Sequence, residues 1–160
     1  MTDARLRSLF SEDELAQLTA HRVPFGVGAE RDAVELATAW AEQVARIDAD
    51  RALPPFARDA WNAYDLAGAL FLRDHLAAAL GKLPAALRER LEQAAVQQTD
   101  DHYRSFTVVD DGQRMARVAQ LDLAGRGWWW FRTPANGPIA DDLLRHELLA
   151  SWHLIFRQAR

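Results

Sequence analysis

The chain has 160 residues, a formal net charge of −4 and no cysteine, which predicts a single domain, 1–160, and excludes disulfides, thiolate nucleophiles and Cys-ligated metal sites. The acidic charge argues against binding to nucleic acids or anionic membranes, because both require a surplus of basic residues. The N-terminal residues lack an apolar secretion signal and no later stretch reaches the roughly 18 uncharged apolar residues of a membrane span, so we expect a cytoplasmic protein.

The first part of the helical half, about 1–99, contains two predicted amphipathic helices. Ser11 and Glu14 have the spacing of a capping box, in which each side chain bonds the other residue's backbone amide, and this predicts a helix at about 12–21. A second helix is predicted at about 30–48, where apolar residues recur every three or four positions and charged residues point away from them.

Two further helices complete the predicted bundle. A helix at about 56–80 follows a Pro-Pro pair and is apolar on every side at its centre, which is typical of a buried central helix. Gly81 and Pro84 are typical of a helix end followed by a helix start. They separate it from a fourth helix at about 84–98 that has only a narrow apolar stripe. The first half is therefore expected to form a four-helix bundle.

The second half, about 100–160, is predicted to begin with a three-stranded antiparallel meander. The predicted elements are a strand at Tyr103–Val109, a type I′ turn at Asp111-Gly112, a return strand at Gln113–Leu123 and a third strand from Trp128. The segment from Gln113 to Asp122 also satisfies the spacing of a helix, so both interpretations remain open for it.

A long C-terminal helix is predicted from Pro138 to about residue 157. Pro138 suits the first helical position, and Asp141 and Asp142 lie in the first turn, where the helix dipole favours negative charge. The apolar residues of this helix cover a wide arc, so we expect the helix to lie between the bundle and the sheet. They are Ile139, Leu143, Leu144, Leu148, Leu149, Trp152, Ile155 and Phe156. The predicted fold class is α+β.

The predicted third strand contains three consecutive tryptophans. Alternation on a strand would place Trp128, Trp130 and Arg132 on one face and Trp129, Phe131 and Thr133 on the other. Burying one indole stabilises a fold by about 4 to 6 kcal/mol, so an exposed indole gives up a large part of that stabilisation. Either the sheet is covered on both faces, or Trp128, Trp130 and Arg132 form an aromatic and cationic platform for a partner.

The platform interpretation leads to a functional prediction. The chain carries no complete catalytic motif, its acidic charge suits a basic partner, and Trp, Tyr and Arg dominate binding hot spots. We therefore predict a small cytoplasmic protein-binding module, such as an immunity or regulatory protein that neutralises a partner. A homodimer joined through the same strand is also open. The candidate contact residues are Trp128, Trp130, Arg132, Arg126 and Tyr103.

The residue types that carry metal or nucleophilic chemistry do not form known motifs. His146 and His153 lie two helical turns apart, too far to share one metal ion, and Ala150 occupies the position of the second histidine of a zinc-protease motif. The sequence also lacks a G-x-S-x-G nucleophile elbow and the glycine-rich nucleotide-binding motifs. No cofactor, metal or catalytic residue is predicted, and the chain is not indicated to be an enzyme.

A second function, in small-molecule binding or catalysis, is open. It would use a tryptophan-lined pocket between the sheet and the C-terminal helix, with Asp65, His146 or His102 as a polar contact. Asp65 lies with Asn62 in the most apolar helix, so we expect its carboxylate to cap another element, to pair with an arginine such as Arg73, or to form part of a pocket floor.

Overall fold

The computed structural model describes residues 2–158, with side chains described as far as Leu149. The described chain is mostly helical and has two small antiparallel sheets of two strands each, consistent with an α+β protein. It divides into two compact units. Unit 1 consists of Met1–Ala45 and Ala69–Ser105, and unit 2 consists of Arg46–Gly68 and Phe106–Arg160. The single-domain assignment stays a prediction.

The helices and strands follow one another along the chain with short connections. In order they are α1 Asp3–Arg7, α2 Glu12–Ala20, β1 Val23–Pro24, β2 Glu30–Arg31, α3 Ala33–Asp50, α4 Ala63–Lys82, α5 Ala85–Leu91, a π turn Glu92–Val96, α6 Gln97–Phe106, β3 Thr107–Val109, α7 Gln113–Ala119, a 3₁₀ turn Trp128–Phe131, β4 Arg132–Pro134 and α8 Pro138–Gln158. Strand β1 pairs with β2, and β3 pairs with β4. The boundaries between the units fall within α3, within α4 and just before the last residue of α6.

The capping box predicted for α2 is confirmed. The Glu14 amide donates to Ser11 Oγ at 3.3 Å, and the Ser11 amide donates to Glu14 Oε2 at 2.8 Å. The bond from the Ser11 backbone, together with the Arg90 guanidinium, lowers the pKa of the Glu14 carboxyl. Because the folded pKa is lowered, this stabilising contribution is present above the ordinary pKa of Glu14 and is lost as the pH falls through the lowered value.

The third helix was predicted to begin at about residue 56, but α4 begins at Ala63. Asn62 caps it, because Asn62 Oδ1 accepts hydrogen bonds from the amides of Tyr64 at 2.8 Å and Asp65 at 3.3 Å. Asp65 Oδ2 accepts the Asn62 amide at 2.9 Å, which completes a second capping box. Asp65 therefore caps the start of its own helix, whereas Arg73 bonds Asp100. The expected pairing with Arg73 is wrong, and a place in a pocket floor stays a prediction.

The fourth predicted helix does not end at residue 98 but continues through a π turn and α6 as far as Phe106. In a straight α-helix Leu87 and Tyr103 would point about 160° apart, and the π turn takes in roughly one extra residue and brings both side chains to the same side. Both are buried. Only the last three residues of the strand predicted at 103–109 form a strand, β3, because Tyr103 and the residues up to Phe106 lie in α6.

Unit 2 does not contain the predicted meander. The return strand at 113–123 is wrong: α7 occupies Gln113–Ala119, and its buried residues Met115 and Val118 have the three-residue spacing of a helix. The turn before it is not a hairpin turn: the Asp111 side chain accepts the Gln113 amide at 2.9 Å, and Gly112, in the left-handed region, is the N-cap of α7. Strand β3 instead pairs with β4, with Val108 opposite Thr133.

The three tryptophans form a 3₁₀ turn and not a strand. The Trp130 amide donates to the Gly127 carbonyl at 3.1 Å, and the Trp129 ring folds back over Gly127, where an added Cβ would lie 2.2 Å from it. The neighbours Trp129 and Trp130 are both buried. A strand with one open face cannot bury two successive side chains, whereas a tight turn can.

Helix α8 begins at Pro138 as predicted, but only part of its wide apolar arc is buried. Its expected position between the bundle and the sheet stays a prediction. Ile139 and Leu143 are buried, whereas Leu144, Leu148 and Leu149 are exposed. The predictions for Trp152, His153, Ile155 and Phe156 concern side chains outside the described residues. No helix in the described part of the chain is both long and apolar enough to cross a membrane.

Candidate functional site

The residues predicted to form an aromatic platform lie mainly inside the protein. Trp130 and Tyr103 have no exposed surface, and Tyr103 packs against the Trp40 ring at 5.4 Å within unit 1. The expected exposed strand face is therefore wrong for Trp130 and Tyr103, which cannot contact a partner without rearrangement. Trp128 is half-buried, and its binding role stays a prediction.

The two predicted arginines make contacts within unit 2. The guanidinium carbon of Arg126 lies 5.4 Å from the Trp130 ring centroid, within the range of a cation–π interaction. Arg132 donates to the hydroxyl of Thr107 at 2.9 Å and to its carbonyl at 2.7 Å. These arginines support the 3₁₀ turn and the β3–β4 pair, and their direct binding role stays a prediction.

Unit 2 exposes a different set of large apolar side chains. Phe56 is 82 % exposed, and Leu144 and Leu148 on α8 are each about half exposed. Leu144 and Leu148 are four residues apart and so lie on one side of α8. Phe56 and Leu144 also line one recess of about 340 Å³, together with Pro55 and Pro138. We call Phe56, Leu144 and Leu148 the Phe56 surface.

The backbone at Phe56 is strained. Its φ angle is +76°, in the left-handed region, and no glycine, asparagine or aspartate occupies the position. An L-residue in this region is disfavoured by roughly 1–2 kcal/mol. The two preceding prolines, Pro54 and Pro55, restrict the approach of the chain. The result is an aromatic ring presented to solvent at a conformational cost.

Charged groups flank the Phe56 surface and hold together the two chain segments that form it. The guanidinium carbon of Arg145 lies 5.6 Å from the Phe56 ring centroid, and Arg145 also pairs with Asp142 at 3.1 Å. Asp142 accepts the Ala63 amide at 3.0 Å, which ties α8 to the start of α4. One carboxylate therefore connects both segments that flank the surface.

A second exposed aromatic residue lies beside the same turn of α8. The Tyr64 ring meets the His146 ring edge-on with centroids 5.5 Å apart, and His146 Nε2 lies 3.6 Å from Asp142 Oδ2. Tyr64 is exposed. The consecutive residues Arg145 and His146 thus contact Phe56 and Tyr64, so the two exposed aromatic rings flank one turn of α8.

The predicted tryptophan-lined pocket between the sheet and the C-terminal helix stays a prediction. Recesses of about 400 and 340 Å³ are lined without a tryptophan. Asp65 caps α4, and His146 contacts Tyr64. Among the residues that the structure describes, no group of three or more His, Cys, Asp or Glu side chains could hold a metal ion.

The sequence carried two signals of the Phe56 surface. Pro54 and Pro55 precede Phe56, and a residue that follows two prolines and precedes the Asn62 cap need not be helical. The apolar arc of α8 was also too wide for one buried face, because Leu144 and Leu148 lie on the side away from Ile139 and Leu143. An apolar arc that exceeds the core side of a helix predicts an exposed apolar surface.

Two substitutions of Phe56 test whether the backbone at this position is strained. We expect Phe56→Gly to be more stable than Phe56→Ala by about 1 kcal/mol, because only glycine adopts the positive φ without strain. The measurement is urea unfolding of both variants. Gly28→Ala, at a φ of +70° with open space around its Cβ, is the matched control and is expected to lose a similar amount. Equal stability of the two Phe56 variants would contradict the strain.

Comparisons with protein-family models, curated proteins and solved structures gave no match to this chain.

Proposed function

We propose that this chain is a small protein-binding module that docks another protein on the Phe56 surface of unit 2. The observation that supports this most directly is Phe56 itself, which is 82 % exposed in a strained backbone conformation. A ring so placed adds little to the stability of unit 2 and keeps its full apolar area for a partner. Exposed apolar patches with polar rims are typical of protein interaction sites.

The recess beside Phe56 sets the kind of contact that a partner makes. A volume of about 340 Å³ lined by prolines, Phe56 and Leu144 accepts one or two large apolar side chains. Leu148, one turn further along α8, extends the apolar surface beyond the recess. An amphipathic helix with large apolar residues at three- and four-residue spacing fits such a surface.

The charge around the surface favours a basic partner. Asp141 and Arg145 both line the recess, and Arg145 pairs with Asp142, so these three groups together carry one net negative charge. The chain as a whole carries a net charge of −4. Complementary charge speeds association and suppresses wrong partners more than it adds affinity. The proposed partner is therefore a basic amphipathic helix of another protein, and neutralising or regulating that protein is the proposed role.

A photo-crosslinking experiment tests the proposal. The photoreactive residue p-benzoylphenylalanine is placed at position 56, where it extends the native ring, and irradiated in cells that make the protein. We expect one dominant adduct with a different protein. The control places the same residue at position 27, where Val27 is a fully exposed apolar side chain of unit 1, and this variant is expected to give no such adduct.

A second substitution tests whether the crosslink from position 56 reflects binding to the Phe56 surface or only a chance encounter with a nearby protein. Leu144→Asp changes an exposed residue, so it leaves the fold intact by circular dichroism while placing a charge in the apolar contact. It is expected to abolish the adduct from position 56 and to weaken binding of the purified partner at least tenfold. An adduct that persists in Leu144→Asp, that also forms from position 27, or that joins two copies of this chain would overturn the proposal.

A further inference from the structure

Unit 1 contains a recess that the proposed function does not use. It has a volume of about 270 Å³ and lies between α3 and the segment formed by the π turn and α6. Its apolar wall consists of small side chains and one leucine of α1. These residues are Ala37, Ala41, Ala45, Ala95 and Leu6.

The π turn shapes one wall of this recess. Ala95 belongs to the π turn and lines the recess, opposite the alanines that α3 contributes to the wall. Single π turns inside helices often occur at functional sites, because they displace side chains from the regular helical positions. The same turn directs Asp100 and Tyr103 into the core of unit 1, where both are buried. The packing of this helix therefore determines the shape of the recess.

Two threonines of the recess differ in how their hydroxyl groups are satisfied. Thr99 donates to the Ala95 carbonyl at 3.0 Å, as a helical threonine commonly does. Thr38 Oγ1 is buried and has no hydrogen-bond partner among the described residues. A buried hydroxyl without a partner costs about 1–3 kcal/mol. Threonine has two common rotamers in a helix, so the Thr38 hydroxyl can turn toward a bound molecule.

Polar side chains stand at the open side of the recess. Gln98 and His102 line it from α6 and are exposed, so an amide and an imidazole border the apolar wall. An apolar site with a few polar groups is the usual composition of a small-molecule site. For scale, an apolar cavity of about 150 Å³ in another protein holds one benzene molecule.

We propose that this recess binds a small organic molecule, about the size of a two-ring aromatic compound, that carries one hydrogen-bonding group. The alanine wall accepts the apolar body. Thr38 and the polar border of Gln98 and His102 accept the hydrogen-bonding group. This site lies in unit 1, so its failure or success is independent of the docking proposed for unit 2.

Two probes of matched shape test the site. Indole carries one N–H donor, and indene has the same ring shape without it. Each is titrated into the ¹⁵N-labelled protein while amide chemical shifts are recorded. We expect indole to give saturable shifts at the amides of Thr38, Ala41 and Gln98, and indene to bind at least threefold more weakly. Shifts that do not saturate, or equal binding of both probes, would overturn the proposal.

Three variants locate the binding. Ala41→Leu fills the recess and is expected to abolish indole binding, whereas Ala78→Leu, at an exposed position of α4, is expected to leave it unchanged. Thr38→Val removes the hydroxyl at constant shape. It is expected to raise the melting temperature of the free protein and to weaken indole binding about three- to tenfold.

Two other results would contradict the site. If Ala41→Leu still binds indole, the indole binds elsewhere on the protein. If Thr38→Val binds indole as tightly as the wild type does, the Thr38 hydroxyl does not hydrogen-bond the indole. If Ala41→Leu does not fold, Ala45→Leu at the exposed rim provides the same test.

Discussion

Replacing Asp100 with alanine is expected to destabilise the protein by about 3–5 kcal/mol. Asp100 is buried in unit 1 and accepts hydrogen bonds from Arg73 Nε at 3.0 Å and Arg73 Nη2 at 2.9 Å. Its Oδ1 also accepts the indole N–H of Trp40 at 2.9 Å. Removing the carboxylate takes two charge-assisted hydrogen bonds from the buried Arg73 guanidinium and one hydrogen bond from the buried Trp40 indole. Urea unfolding followed by circular dichroism measures the loss.

The neighbouring residue provides a matched control for this prediction. Asp101 is exposed and pairs with Arg104 at 2.9 Å on the surface, so Asp101→Ala is expected to cost less than about 1 kcal/mol. A double variant, Asp100→Leu with Arg73→Met, is expected to recover most of the loss, because an apolar pair can replace a buried ion pair. Equal losses in Asp100→Ala and Asp101→Ala would contradict a buried network.

The Asp100 network also explains why the end of the predicted bundle was placed too early. The charged and polar residues after Val96 resemble the end of an apolar helix when they are read as solvent-facing. Asp100 and Arg73 are nevertheless inside, because each satisfies the other. Charged residues that pair with each other can be buried, but they do not add to the pattern of apolar residues in the sequence. Their burial therefore cannot be predicted from hydrophobic periodicity.

The features that could be predicted from sequence are those set by local chemistry. The capping box of α2 and the start of α8 at Pro138 depend on residues within one helical turn, and both are present. The Phe56 surface depends on a backbone angle and on what α8 packs against, which are set by the tertiary fold. The pairing of β3 with β4, across an intervening α7, is likewise a nonlocal choice.

The tryptophan segment shows how a correct physical premise led to a wrong structure. Three consecutive large apolar residues require an explanation, since a strand alternates its faces. The three tryptophans form a 3₁₀ turn and not a strand. This turn buries Trp129 and Trp130 and leaves Trp128 half-buried. Gly127 makes the turn possible, because any side chain there would collide with the Trp129 ring. The glycine directly before the tryptophans is the sequence signal of this turn.

Trp130→Ala is expected to destabilise the protein by about 3–5 kcal/mol. The side chain is fully buried in unit 2, and its ring lies 5.4 Å from the Arg126 guanidinium carbon. Truncation removes the apolar contacts of the indole and opens a cavity that the 3₁₀ turn cannot close, since Gly127 is already covered by the Trp129 ring. The free energy of unfolding in urea is the quantity to measure.

The control for Trp130 is Trp128, which has the same side chain two residues earlier and is only half-buried. Trp128→Ala is expected to lose about half as much stability, because part of its ring is already in water. The comparison separates a core role from the binding role first predicted for both residues. If Trp130→Ala folds with wild-type stability and loses partner binding, this prediction is wrong. The indole would then act at an interface, and the conformation that binds the partner would be one in which Trp130 is exposed.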